Sequence, residues 1–160
     1  MPLPDGLDIG DAAPDELTLR DQRGAPVRLG DFLGCPVVLY FYPADDTPGC
    51  TVEGKEFRDL YEQFQAIDCV VLGVSVDSVE SHRKFAEKHA LPFPLVSDPE
   101  AELVRTFGVL DGGVARRSTF VLDRDLRIRR RFDQVKPRGH AQQVLDFVRA
   151  LVESHRMLGG

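Results

Sequence analysis

Two stretches of the chain are apolar at nearly every position rather than at alternate ones. Pro36 to Tyr42 (PVVLYFY) and Cys69 to Val76 (CVVLGVSV) predict strands buried on both faces, as in the interior of a parallel sheet. Between them the period changes. Phe57, Leu60, Tyr61 and Phe64 fall at i, i+3, i+4 and i+7, which predicts a helix from about Cys50 to Gln65. Asp77 or Ser78 caps a second helix through about His89, with Val79, Phe85 and Ala86 as its apolar residues. Pro94 to Ser97 reads as a short strand and Pro99 to Phe107 as a short helix. Ser118 to Asp123 and Leu126 to Phe132 bracket a turn at Arg124 and Asp125, a hairpin signal. The last helix runs from Gly139 to about His155, with Val144, Leu145, Val148, Leu151 and Val152 on one face. Nearer the N-terminus, Leu17 to Leu19 and Val27 to Leu29 flank a polar turn at Asp21 to Gly24, a second small hairpin. The first 15 residues, with Pro2, Pro4 and Pro14, read as an irregular arm. This order predicts an α/β sandwich, a central mixed β-sheet flanked by helices. No repeat, linker or low-complexity tract interrupts it, so residues 1–160 are expected to form a single domain.

Composition narrows the function. At 160 residues and 42% hydrophobic, the chain buries roughly 70% of its unfolded surface and needs no staples. Its 20 basic and 26 acidic residues leave a charge of −6, the wrong sign for displacing counterions from nucleic acid. Arg127, Arg129, Arg130 and Arg131 do cluster, but Leu126, Ile128 and Phe132 interleave with them, which is the solvent side of a strand. No apolar run approaches the ~20 residues of a membrane span, and the acidic, proline-bearing start has no apolar leader core. Three widely spaced cysteines, Cys35, Cys50 and Cys69, make no disulfide framework and point to a reducing cytoplasm. His82, His89, His140 and His155 show no metal-ligand spacing with them. With no C-x-x-C, phosphate loop or dinucleotide fingerprint present, neither a metal nor a cofactor is expected.

The chemistry is expected where the first buried strand ends, since open α/β sheets bind ligands beyond the C-terminal ends of their parallel strands. There Pro43-Ala44-Asp45-Asp46-Thr47-Pro48-Gly49 delivers Cys50 to the first turn of a helix. The positive end of a helix and its unpaired N–H groups favour an anion, so a thiol there is expected to ionise readily and act as a nucleophile. Pro48 suits a helix start, and Gly49 lets a substrate approach the backbone.

Pro43-x-x-x-Thr47-x-x-Cys50 resembles the signature of the peroxiredoxins. The wider string Phe41 to Thr51 (FYPADDTPGCT) is similar to their bacterioferritin comigratory protein, or Q-type, branch. Arg117 to Asp123 (RSTFVLD) is similar to the strand that carries that family's active-site arginine. The resemblance covers the chain from about Gly6 to Glu153 and implies a thioredoxin-like sandwich and a thiol-dependent peroxidase. It further implies that the Cys50 thiolate attacks a hydroperoxide oxygen and becomes a sulfenic acid. Thr47 would place its hydroxyl beside the sulfur, Arg117 would stabilise the thiolate and orient the peroxide, and Pro43 would wall the pocket. The backbone N–H groups of Gly49 and Cys50 would add donors. Glu53 either answers the helix dipole or holds Arg117; Arg58 reads as an exposed helix charge.

One departure from the Q-type pattern matters. Many relatives carry a second cysteine five residues after the first, where this chain has Lys55, and others carry it on the next long helix, where this chain has none. Cys35 and Cys69 begin their strands whereas Cys50 lies past a strand end, roughly 20 Å away at about 3.3 Å per residue. A direct bridge needs Cα atoms within about 7 Å. A one-cysteine peroxidase reduced by an external thiol is therefore expected: thioredoxin, a glutaredoxin-like protein or a small thiol. The alternatives are a two-cysteine peroxidase using Cys35 or Cys69, and a non-enzymatic thioredoxin-fold holdase. Relatives suggest a monomer or weak dimer.

Overall fold

A computed structural model of the chain describes residues 6–157. Strands β3 (Val37–Phe41), β4 (Val70–Ser75) and β5 (Leu95–Ser97) pair in parallel at the centre of a seven-stranded sheet. β8 (Ser118–Leu122) lies antiparallel on β3, and β9 (Ile128–Phe132) antiparallel on β8. The other edge is the two-residue hairpin of β1 (Leu19–Arg20) and β2 (Pro26–Val27), giving the order β2-β1-β5-β4-β3-β8-β9.

All five residues of β3 are buried, and they divide by parity as a pleated strand must. Val38, Tyr40 and Tyr42 enter one core with Phe57 and Phe64 of α1 (Pro48–Ala66), Phe85 of α2 (Val79–His89), and Val144, Leu145 and Val148 of α4 (His140–Met157). Val37, Leu39 and Phe41 enter the other, with Leu29, Phe107, and Leu103 and Val104 of α3 (Glu102–Thr106). Helices thus cover both faces of a mixed sheet, the thioredoxin-like sandwich that the resemblance implies. No helix among the described residues is long and apolar enough to cross a membrane.

The element bounds differ from the sequence expectation where side chains take over backbone work. α1 begins at Pro48, two residues early, which makes Cys50 its third residue. α3 begins at Glu102 rather than Pro99, because the Asp98 carboxylate accepts from the N–H groups of Glu102 and Val104, each at 2.9 Å. Ala101 meanwhile sits at φ 54°. β9 starts at Ile128 because Leu126, at φ 62°, belongs to the turn, where Asp123 Oδ1 accepts from Asp125 N and Arg127 N. The first hairpin is shorter than expected, and Leu29 opens a 3-10 turn instead. A hairpin of β6 (Leu110–Asp111) and β7 (Val114–Ala115) was not expected; Gly112 and Gly113, at φ 59° and 85°, form its two-residue turn, a recognised hairpin signal.

The N-terminal arm is irregular but fastened. Gly10 N donates to Ile128 O at 2.8 Å, Ile128 N to Asp11 O at 2.9 Å and Ala13 N to Leu126 O at 2.9 Å. Pro2 and Pro4 lie outside the described residues. Along β9, Ile128 and Phe132 are buried as expected, but Arg129 and Arg130 are both exposed, because an irregularity opposite Val121 and Leu122 breaks the simple alternation read from the sequence.

Candidate active site

Strand register builds the site. Ser118 pairs with Phe41, so Arg117, one residue earlier, leaves the sheet beside Tyr42, where the chain enters the loop 43–47. The loop ends in Thr47, the N-cap of α1 at φ −92° and ψ 153°. Its hydroxyl donates to the Ala44 carbonyl at 3.0 Å and accepts no capping bond from the helix N–H groups. That leaves the oxygen's lone pairs free to accept. Pro48 follows at the first helical position, where its missing N–H costs nothing. The N–H groups of Gly49 and Cys50 are in the first turn, where no intrahelical acceptor exists. Pro43 is half-buried at the start of the loop.

Cys50 is 2% exposed. Its sulfur accepts from Arg117 Nη2 at 3.3 Å, and Arg117 Nη1 donates to Glu53 Oε1 at 2.8 Å. One guanidinium therefore spans a sulfur and a carboxylate that lie one helical turn apart on α1, using its fixed fork of donors. Of the two sequence readings of Glu53, the contact with Arg117 is the one the geometry contains. Glu53 is fully buried, and its second oxygen has no partner among the described residues. Burial accordingly raises its pKa from 4.5 to about 7, against the pull of Arg117, which satisfies one oxygen only. Burial also disfavours the Arg117 cation, but Glu53 and Cys50 outweigh it and raise its pKa. Gly49 is where a side chain would interfere: a Cβ there would sit 2.9 Å from Arg117 Nη2 and 3.3 Å from Pro137 Cγ.

The residues 9–131 match the AhpC/TSA family model. Peroxiredoxin Bcp of Bacillus subtilis (strain 168) is 42% identical over 155 residues, covering 92% of this chain and 98% of that protein. The chain is a peroxiredoxin. The chloroplastic peroxiredoxin Q of Sedum lineare is 43% identical over 144 residues, 88% of this chain and 77% of that one. The crystal structure of a Xylella fastidiosa PrxQ mutant superposes with a TM-score of 0.87 at 40% identity, over 90% of this chain and 96% of that one. Homology to the Q and Bcp types is strong in both sequence and structure, and thiol-dependent peroxidase activity follows at the level of the family.

Two polar features of this peroxiredoxin escaped the sequence reading. The first is a buried clasp between the loop and α2. Asp45 accepts from Tyr42 Oη at 2.7 Å and Ser81 Oγ at 2.8 Å, and its Oδ2 lies 2.7 Å from His82 Nδ1. The other nitrogen of His82 meets the Val96 carbonyl at 3.0 Å, and Asp45 N donates to Asp77 Oδ2 at 2.9 Å. Asp46, at φ 59°, adds an ion pair to Lys88 at 2.9 Å. Asp45, Asp77 and His82 bring ligand atoms within 4.8 Å of one another, and each is already engaged by these hydrogen bonds. A signal was present: His82 shares the apolar face of α2 with Phe85 and Ala86. The second feature is His140, buried at the start of α4 with Nε2 2.7 Å from Thr119 Oγ1. Burial lowers its pKa to about 4; Gln143 opposes this and the nearby Arg117 charge adds to it. Arg58, expected to be an exposed helix charge, is half-buried and donates to the His89 carbonyl at 2.9 Å, so capping α2.

Cys35 and Cys69 precede the first residues of β3 and β4, at the far end of the sheet, and all three cysteines are free. Cys50 lies in the first turn of α1 and Cys69 just beyond its other end, and the run from Cys50 to Ala66 alone spans about 24 Å at 1.5 Å per residue. Burial pushes the Cys69 thiol up to about 12, which keeps it protonated and unreactive.

Two outcomes are expected. A Gly49→Ala substitution displaces the Arg117 guanidinium, a flexible group, so stability changes by less than about 1 kcal/mol while the rate constant with peroxide falls about tenfold. Urea unfolding and stopped-flow peroxide kinetics separate the two; an unchanged rate would contradict the close approach. Stability should also carry two opposed pH dependences. Glu53 holds its proton in the folded state between 4.5 and about 7, so its contribution falls as pH rises through that window. His140 stays unprotonated in the folded state between about 4 and 6.5, so its contribution is lost as pH falls through that one. In urea titrations, Glu53→Gln should gain stability relative to the parent from pH 4.5 to 7, and His140→Gln should lose less on acidification. Parallel pH profiles for parent and variants would refute both assignments.

Proposed function

We propose that Cys50 is the peroxide-reducing nucleophile, working by a one-cysteine cycle. The observation that carries this is the single guanidinium of Arg117 bound at once to the Cys50 sulfur and to buried Glu53. A cation fixed there is placed to stabilise negative charge at the reacting sulfur. The thiolate attacks the nearer oxygen of a hydroperoxide, the O–O bond breaks, and the departing oxygen takes a proton and leaves as water or an alcohol. Cys50 is left as a sulfenic acid.

Negative charge moves from sulfur to the leaving oxygen during this displacement, so fixed donors around both oxygens lower the barrier. Arg117 and the Gly49 and Cys50 N–H groups are those donors. Thr47, whose proton is committed to Ala44, accepts from the hydroperoxide O–H, and Pro43 shields the sulfur side from water. Glu53 orients Arg117.

The distance to Cys35 and Cys69 supports reduction of the sulfenic acid by an external thiol, and three free cysteines fit a reducing compartment such as the cytoplasm. Peroxide consumption measured with dithiothreitol as reductant tests the roles. Cys50→Ser should be inactive. Arg117→Ala should lower the rate constant about 10²–10³-fold, the usual cost of one transition-state donor, and Arg117→Lys should recover only part of that, since an ammonium cannot span both partners. Turnover surviving in Cys50→Ser would overturn the reading.

A further inference from the structure

The chain carries a charge of −6, yet one face beside the site is cationic. Arg130, Arg131, Lys136 and Arg138 line a cavity of about 500 Å³ together with a single carboxylate, Asp133. Asp133 is taken up by Arg131 through two hydrogen bonds of 3.0 Å. Among the described residues, Arg130, Lys136 and Arg138 pair with no carboxylate. Arg130 is held in place instead by stacking on Phe132, its guanidinium carbon 4.3 Å from the ring centre.

Lys136 and Arg138 also line a second cavity of about 440 Å³, whose other walls are Pro48, Gly49, Val52 and Pro137. This one is mainly apolar and reaches the residues immediately before Cys50. The segment that lines both cavities is tied to the site itself. Val135 N donates to the Arg117 carbonyl at 3.2 Å, and Gly139 N to Glu56 Oε1 at 2.8 Å. The two cavities thus share two cations, and the apolar one borders Gly49, the residue before Cys50.

We propose that these two neighbouring cavities receive the reducing thiol, and that this thiol is a small molecule bearing carboxylates. Its sulfhydryl end lies over Gly49 and its carboxylates among Arg130, Lys136 and Arg138. The inference rests on the one-cysteine reading above. The two volumes fall in the range of small-ligand sites, and the cations that line them complement carboxylates. The chemistry balances. The thiol sulfur attacks the Cys50 sulfenic acid, water leaves, and a mixed disulfide forms. A second thiol displaces Cys50 from it as a thiol and carries away the disulfide, so two thiols supply the two electrons that one hydroperoxide consumes.

The test oxidises the protein with one equivalent of hydrogen peroxide and then follows loss of the sulfenic acid. Glutathione, 2-mercaptoethanol and cysteamine serve as anionic, neutral and cationic thiols, with rates compared per thiolate. Glutathione should exceed cysteamine by at least about tenfold at low ionic strength, and the advantage should shrink in high salt. In the double variant Arg130→Glu, Arg138→Glu the ratio should vanish or invert; because it is taken within each variant, any general loss of activity cancels. Equal rates for the three thiols would overturn the inference, as would a ratio that ignores the charge reversal. So would rapid reduction by an acidic protein dithiol alone. If no sulfenic acid forms in the parent protein, the one-cysteine reading fails and this inference with it; if it forms and then reacts without charge preference, only this inference fails.

Discussion

Because Ser118 pairs with Phe41, the guanidinium of Arg117 emerges at the one edge of the sheet where β3 hands the chain to the loop and α1. A slip of one residue between β8 and β3 would turn Arg117 to the other face and leave Glu53 buried with no cation at all. The register is secured on both faces at once. Val38, Tyr40 and Val121 belong to one core, while Val37, Leu39, Phe41, Phe120 and Leu122 belong to the other. The apolar strands thus hold the polar site in place, although none of their side chains performs chemistry.

Charge at the site is in short supply on the positive side. Arg117 serves both the Cys50 sulfur and Glu53, and burial works against Glu53 ionisation strongly enough to bring its pKa to about 7. The one guanidinium is thus divided between a carboxyl that burial keeps hard to ionise and the sulfur. His140 stays neutral under the same field, which spares the site a second buried cation. On the loop side, Asp45 and Asp46 fasten residues 43–47 to α2 through His82, Ser81 and Lys88. The cysteine is therefore presented by a helix start braced from both directions, by β8 and by α2.

Much of this was legible in the chain. Uninterrupted apolar runs marked β3 and β4 because burial on both faces removes the polar half of the alternation. The shift to a 3.6-residue period marked α1, and the residues from Pro43 to Cys50 with Arg117 marked the peroxiredoxin resemblance. What was not legible depends on groups distant in sequence. His82 and Asp45 are 37 residues apart, and only the pairing of β3, β4 and β5 brings α2 against the loop. His140 looked like an ordinary helix start until Thr119, Phe57 and Phe132 closed around it. Element ends were misread where a side chain substitutes for backbone, as Asp98 does ahead of α3 and Asp123 does in the turn before β9. The Gly112–Gly113 hairpin carried a local signal that was simply passed over.

The central claim is that Cys50 alone meets the peroxide and keeps its oxygen until another molecule removes it. Intact-mass spectrometry after one equivalent of hydrogen peroxide, with and without a sulfenic-acid trap, addresses this directly. The account predicts one trap adduct per chain, located on Cys50 by peptide mapping. Loss of two hydrogens with no adduct would show an internal disulfide and contradict it.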